Sequence, residues 1–345
     1  MKEYSAIGVD VSDKTMEVAG LDGQGEVIWR TTVESTPQAV RRAFEGVARS
    51  LVFLETGMHT GWLARLLSAL GHEVVVANAR KVRAIWGDER KSDERDAEML
   101  ARLARMDRKL LRPVAVRSEE TQRAMDLLTT RDALVRSRAL LANVVRALVK
   151  NRGARLRRCS TEALPKRCRT DLAVSAREGL EPVLVAMEAV TDQIRASTRT
   201  IETVAHERYA EATGRMAPIA GVGTLTALAF TLVIERPERF KRRRMVGAYL
   251  GLTPRRDQSG ETDKQLPITH AGHEMVRRLL VTAAHYVMGP FGPDCDLRRF
   301  GERLTRRGGR NAKKRAIVAV ARKLAVVMLT LWQTGEPYRP LRQAT

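Results

Sequence analysis

Four acidic residues, Asp10, Glu55, Asp93 and Asp96, stand at positions that could bring their carboxylates together. Asp10 closes the apolar run Ala6-Ile7-Gly8-Val9, and Glu55 closes Leu51-Val52-Phe53-Leu54. Asp93 and Asp96 open a helical stretch three residues apart, on one face of a helix. Strand ends and helix starts converge in α/β folds, so the four side chains are expected at one site. Carboxylate oxygens suit hard divalent cations, Mg2+ or Mn2+. Two such ions roughly 3.5–4 Å apart can clamp the attacking and leaving oxygens of a phosphodiester. Singly, each acid is a capping or solvated residue; their recurrence at the ends of successive elements is what points to chemistry.

The elements that would position them follow from the pattern. Three β-rich runs, Tyr4 to Asp10, Met16 to Leu21 and Glu26 to Val33, are separated by turns, the second being Asp22-Gly23-Gln24-Gly25. Thr36-Pro37 supplies a cap and first-turn proline for a helix to about Ala48. Strand Leu51 to Leu54, helix Trp62 to Leu70 and strand Glu73 to Ala77 follow, which implies a mixed, partly parallel sheet. Ser92 can cap the next helix, with Asp93 in its positive first turn.

The chain has 345 residues and a formal charge of +21, unevenly spread. Residues 1–115 hold 18 Lys/Arg against 17 Asp/Glu, and residues 116–345 hold 43 against 23. A positive field of that size draws polyanions, and phosphate neutralisation supplies much of the affinity of nucleic-acid binders. The basic residues are not gathered on one amphipathic helix, which disfavours a membrane-surface role. Cys159, Cys168 and Cys295 show no C-x-x-C spacing and are odd in number, so a disulfide framework and a zinc ribbon are both disfavoured and a reducing cytoplasm fits. The runs Val222 to Ile234 and Leu324 to Trp332 are too short to span a bilayer, and no signal peptide or membrane span is expected.

From Ser118 the pattern is helical. Leu127, Leu134, Leu141 and Leu148 recur every seven residues beside Leu128, Val135 and Val149, and a second series runs through Leu180, Val183, Met187, Val190, Ile194, Ile201 and Val204. These two helices could pair as an antiparallel hairpin, as a coiled coil between subunits, or as ordinary core helices; the heptads motivate a homo-oligomer, a dimer or tetramer. Between them the basic segment Arg152 to Arg169 reads as a loop or a phosphate-contacting tip. The expected parts are 1–112 (α/β, mixed sheet), 113–213 (helical coiled coil) and 214–345 (mostly helical). Gly221 and Gly223 precede an apolar helix as in a helix-hairpin-helix unit, where backbone N–H groups approach a phosphate; a tight interhelix turn is the plainer alternative. Lys241, Arg242, Arg243 and Arg244, and the cluster with Arg310, Lys313 and Lys314, are candidate contacts to a nucleic-acid backbone. His270, His273 and Cys295 invite a zinc reading, but no fourth ligand has suitable spacing.

Several stretches together resemble the IS-one-ten (IS110) group of insertion-sequence transposases. They are Gly8-Val9-Asp10-Val11-Ser12, Leu54-Glu55-Thr56-Gly57, Gly71 to Asn78 and Lys91-Ser92-Asp93-Glu94-Arg95-Asp96-Ala97. A later block comprises Phe240, Ala248 to Arg255, Gln258-Ser259-Gly260, Ile268 to Gly272 and Arg277-Arg278-Leu279-Leu280. The resemblance implies a RuvC-like (RNase H-like) first domain with a D-E-D-D metal site on Asp10, Glu55, Asp93 and Asp96. It also implies a serine nucleophile at Ser259, and a structured guide RNA that pairs with target and donor DNA. A serine can attack a backbone phosphate and keep the bond as a phosphoserine ester, so that strands are rejoined without ATP. Without the resemblance Ser259 is a turn residue before Gly260.

Two departures stand out: Lys241-Arg242-Arg243-Arg244 after Phe240, and Glu261 after the serine where the group often carries glycine. Aromatic residues are 4% of the chain, which leaves little hardware for base stacking and suits recognition by a guide. The expected function is that of a cytoplasmic, nucleoid-associated DNA recombinase of a bacterium or archaeon. The rivals are a metal-dependent structure-specific nuclease, in which water attacks, and a nucleic-acid-binding protein without catalysis.

Overall fold

The structure, a computed structural model, describes residues 2–78, 93–105, 113–259 and 262–341; the expectations on Ser92, Gly260 and Glu261 lie outside these. The chain divides into two compact units, Met1–Ser118 and Glu119–Thr345.

The first unit is built on β1 (Ala6–Val11), β2 (Thr15–Leu21), β3 (Val27–Glu34), β4 (Leu51–Glu55) and β5 (Glu73–Ala77), ordered β3-β2-β1-β4-β5. β1, β2 and β3 form an antiparallel meander, while β4 pairs parallel with both β1 and β5. The Asp22 carboxylate accepts the N–H groups of Gln24, Gly25 and Glu26 at 2.8, 2.7 and 2.9 Å, which closes the β2–β3 turn. Thr36 accepts the Ala39 N–H at 3.3 Å and Pro37 opens α1 (Pro37–Phe44). This helix and α2 (Thr60–Ala69) cover one face of the sheet through Val40, Phe44, Leu63 and Leu67 against Ile7, Val9, Val52, Leu54 and Val76. The other face, Ala6, Phe53 and Ala77, packs under Leu100 and Leu103 of α3 (Asp93–Arg105). Alternation along the strands therefore places Gly8, Asp10 and Glu55 on the α3 side.

In the second unit α4 (Glu119–Asn151) and α7 (Glu181–Arg208) run antiparallel, since Arg131 meets Thr198 and Arg138 meets Thr191. Between them α5 (Leu164–Asp171) and α6 (Val174–Arg177) fold back as a tip, so the basic segment carries a helix of its own. Of the residues that mark the stripe of α4, Leu128 and Val149 are fully buried, as is Ala142, while Leu134, Val135 and Leu141 are half-buried and Leu148 is exposed. The polar pairs Arg131–Thr198 (2.7 Å) and Arg138–Thr191 (3.2 Å) separate a core at the tip from a larger one at the other end. The larger core gathers α8 (Ala210–Met216), α9 (Thr224–Ile234), α10 (Met245–Tyr249), α11 (Glu274–Val287), α12 (Asp296–Arg306) and α13 (Ala312–Thr334). A ribbon of β6 (Pro254–Ser259) and β7 (Thr262–Ile268) belongs to this end. α13 is long and apolar enough to cross a membrane by length and composition; Val320, Leu324, Met328 and Leu329 bury it as a core helix here.

Candidate active site

The acidic site depends on one glycine. A Cβ on Gly8 would lie 2.0 Å from the Ala97 carbonyl oxygen and 2.5 Å from the Ala101 nitrogen, so α3 rests with its backbone directly on β1. Ala97 and Ala101, both buried, keep the helix side of that contact small. The close approach lowers the first turn of α3 onto the end of β1. One carboxylate oxygen from each of Asp10, Asp93 and Asp96 then lies within 4.8 Å of the others, with Asp93 exposed and the other two half-buried. Bonds to the β2–β3 hairpin hold the helix there: Arg30 of β3 donates to Glu98 (2.5 Å), which also accepts from Arg102 within the helix (2.9 Å), and Arg102 and Arg105 donate to the Gly25 and Gly23 carbonyls.

Glu55 is not within that group of three. It lies one position beyond the Val9↔Leu54 register pair, beside Asp10 at the parallel strand ends and on the same face. The turn after it is fixed by Thr60, whose hydroxyl donates to the Glu55 carbonyl (2.8 Å) and accepts the Gly57 N–H (2.6 Å). His59, not singled out from the sequence, accepts the Trp62 indole N–H at 3.1 Å and sets its other ring nitrogen 3.6 Å from Asp13. It thereby brings the loop after β4 beside the loop after β1; its signal in the sequence is only its place four residues after Glu55.

This donor set consists of oxygens alone, which fits a hard divalent cation and not zinc in a thiolate or imidazole cage. Three carboxylates this close repel one another unless a cation or protons intervene. The positive first turn of α3 relieves part of that repulsion. Among the described residues no other gathered set of metal-capable side chains is present, so His270, His273 and Cys295 do not form one.

In the second unit Ser259 is the last residue of β6, exposed and paired in register with Thr262. It ends the strand immediately before Gly260. The base of the ribbon is locked. Gly251 (φ 70°) and Gly272 (φ 72°) cross so closely that a Cβ on either would lie 2.1 Å from the Ala271 oxygen or 2.0 Å from the Tyr249 oxygen. Thr269 donates its N–H to the Thr253 carbonyl at 2.9 Å. Arg277, 9% exposed, donates to the carbonyls of Leu250 (3.3 Å) and Ala271 (2.8 Å). Across the ribbon Arg256 pairs with Asp263 at 2.6 Å, which holds that carboxyl below its usual range.

The remaining candidates are spread over the second unit. Gly221 (φ 80°) turns the chain against α11, where a Cβ would meet the Ala283 oxygen at 2.9 Å. Packing therefore accounts for this glycine. Gly223 faces open space at the start of α9, which carries no side-chain cap. Lys241, Arg242, Arg243 and Arg244 are exposed, with Arg243 donating to Gln333 at 2.9 Å. Arg310, Lys313 and Lys314 are exposed around the start of α13.

Two families of sequences match parts of the chain. A family labelled for the DEDD transposases of IS110, and described as transposase, matches residues 7–152. A second, described as the IS116/IS110/IS902 family of transposases, matches residues 214–295. The chain is 28% identical over 349 residues to a transposase for insertion sequence element IS1111A from Coxiella burnetii, covering 98% of this chain and 92% of that one. It is 27% identical over 343 residues to a probable family 20 transposase from Pseudomonas aeruginosa, covering 97% and 99%. A pilin gene-inverting protein from Moraxella lacunata is 30% identical over 124 residues, 36% of this chain and 37% of that protein.

Proposed function

We propose, because the chain belongs to the IS110 family of transposases, that it cuts and rejoins DNA strands during excision and insertion of a mobile element. The observation that carries this reading is the convergence of Asp10, Asp93 and Asp96 at the end of β1, within the DEDD-labelled region. The central position of β1, its antiparallel meander and its parallel neighbour β4 support a RuvC-like fold for the first unit. Asp10, Glu55, Asp93 and Asp96 would hold Mg2+ or Mn2+. The bound cation would supply Lewis-acid stabilisation of the charge that builds on phosphoryl oxygens.

Ser259 is the nucleophile of this reading. Its Oγ forms a bond to a backbone phosphorus as one phosphorus–oxygen bond of the strand breaks, its proton passes to a base, and the departing strand oxygen takes up a proton. One phosphate ester replaces another, so the reverse attack by a strand hydroxyl restores a continuous strand and frees the serine. The rigid base of the ribbon, Gly251, Gly272 and Arg277, supports a fixed presentation of that hydroxyl. Guidance by a structured RNA and assembly as a dimer or tetramer belong to the same proposal. The pilin gene-inverting relative favours it too, since inverting a segment also needs cutting and rejoining. In the alternative nuclease reading water attacks and Ser259 is incidental.

Amplification across excised-circle junctions, in cells carrying the gene with its native flanks, tests this. Circles in wild type that vanish in both Asp10→Ala and Ser259→Ala are expected. Circles persisting in Ser259→Ala would remove the serine mechanism.

A further inference from the structure

We infer that the tip of the helical hairpin is a separate binding site for the phosphodiester backbone of a nucleic acid. A concavity of about 730 Å3 opens between the last turns of α4 and the segment that follows. Its floor is apolar, with Val149, Leu156, Leu164 and Cys159, and its rim carries Arg146, Lys150, Arg155 and Arg158. The inference rests on the reading above that the protein works on nucleic acid, and adds a place where a strand is held.

What singles out these four cations is the fate of their neighbours. Arg152 donates to the Ala176 and Glu178 carbonyls at 2.9 and 2.8 Å and so folds the tip. Arg157 makes two bonds to Asp171, at 3.1 and 2.6 Å, and Arg169 pairs with Glu181 and Glu188. These guanidinium groups hold the Asp171 and Glu188 carboxyls below their usual range, and Glu162 is engaged by Arg195. The tip therefore uses its acids to pair the arginines that build it. Among the described residues Arg146, Lys150, Arg155 and Arg158 have no carboxylate partner.

Four unpaired cations around one concavity repel one another, and a polyanion relieves that repulsion while releasing its own counterions. Arg146 and Lys150 are one turn apart on the same helix face, and Arg155 and Arg158 extend the row along the loop. A row of cations fits successive phosphates better than one small anion. Among the described residues no aromatic side chain lines the concavity, so backbone contact is indicated and base stacking is not.

The full-length protein is titrated against a duplex DNA and, separately, a hairpin RNA of equal length, with affinity measured over a range of salt concentrations. Removing four cations by Arg146→Ala, Lys150→Ala, Arg155→Ala and Arg158→Ala should reduce the slope of log affinity against log salt by about 2–4, as each phosphate contact contributes roughly 0.7–0.9. Loss confined to one of the two ligands identifies the source of the backbone. A control removes four exposed cations of the sheet domain, Lys2, Arg41, Arg42 and Arg49, and should leave the slope as in wild type. Cys159 supplies a second readout: its alkylation should slow when nucleic acid is bound, while the buried Cys168 and Cys295 serve as internal references.

Wild-type slope and affinity in the tip variant, or an equal loss in the control, would overturn the inference and leave the proposed function standing. Binding of neither ligand by the wild-type protein would instead remove the nucleic-acid reading on which it rests.

Discussion

In the sheet domain the proposed metal-binding carboxylates sit where a glycine lets two backbones touch, and the contact itself brings Asp93 and Asp96 to Asp10. In the helical unit the contacting glycines, Gly251 and Gly272, lie at the base of the ribbon, and Ser259 stands at the other end of β6. The first arrangement builds a site out of packing. The second builds a rigid stem and leaves the hydroxyl of the proposed nucleophile exposed. The acids are thus tied to the stability of their domain, whereas the serine can be removed with little cost to the fold.

That contrast can be broken in several ways. Asp10→Ala should lower strand exchange by more than about 100-fold, since loss of a partner that merely orients a metal ligand already costs roughly 10–100-fold. Quantifying circle junctions checks it. Arg277→Met removes a buried cation's bonds to two carbonyls and should destabilise the second unit by about 3 kcal/mol. Denaturant unfolding reads this, and the same measurement on Ser259→Ala should differ from wild type by less than about 0.5 kcal/mol. If Ser259→Ala unfolds as readily as Arg277→Met, the stem and the end that carries Ser259 are not separable.

Gly8→Ala sharpens the other side. Its Cβ meets helix backbone and not a flexible side chain, so α3 must shift, at about 1–3 kcal/mol, and divalent-metal affinity should fall with it. The smallest effect concerns the exposed tip. The Asp171 and Glu188 carboxyls titrate below their usual range because Arg157 and Arg169 bind their charged forms. Their contribution is present above about pH 4, where the unfolded carboxylates are ionised, and is lost as pH falls through the depressed values. Hydrogen exchange should show residues 157–188 opening in acid before the sheet domain does.

Much of the first unit was legible because its cues are local. The run ending at Asp10 and that ending at Glu55 are strands by composition, and Thr36-Pro37 caps its helix as expected. The spacing of Asp93 and Asp96 placed both on one face, but nothing local says that Gly8 admits α3 onto β1; that contact joins residues nearly ninety positions apart. The leucine series in α4 and its neighbours Leu128 and Val149 marked one stripe, of which Val149 and not Leu148 is buried, because the tip folds back and packs Leu164 and Leu180 with Val149. The ribbon was hidden for a different reason. Arg255, Arg256, Asp257 and Gln258 carry no apolar alternation, and the strand depends on its partner and on the crossing glycines.

Calorimetric titration of Mg2+ and Mn2+ into the intact protein, beside Asp10→Asn and Asp96→Asn, tests the central claim most directly. Binding by wild type that is lost or greatly weakened in both variants, with unfolding transitions unchanged, is the expected result. Equal binding in all three proteins would contradict a metal centre at the meeting of β1 and α3.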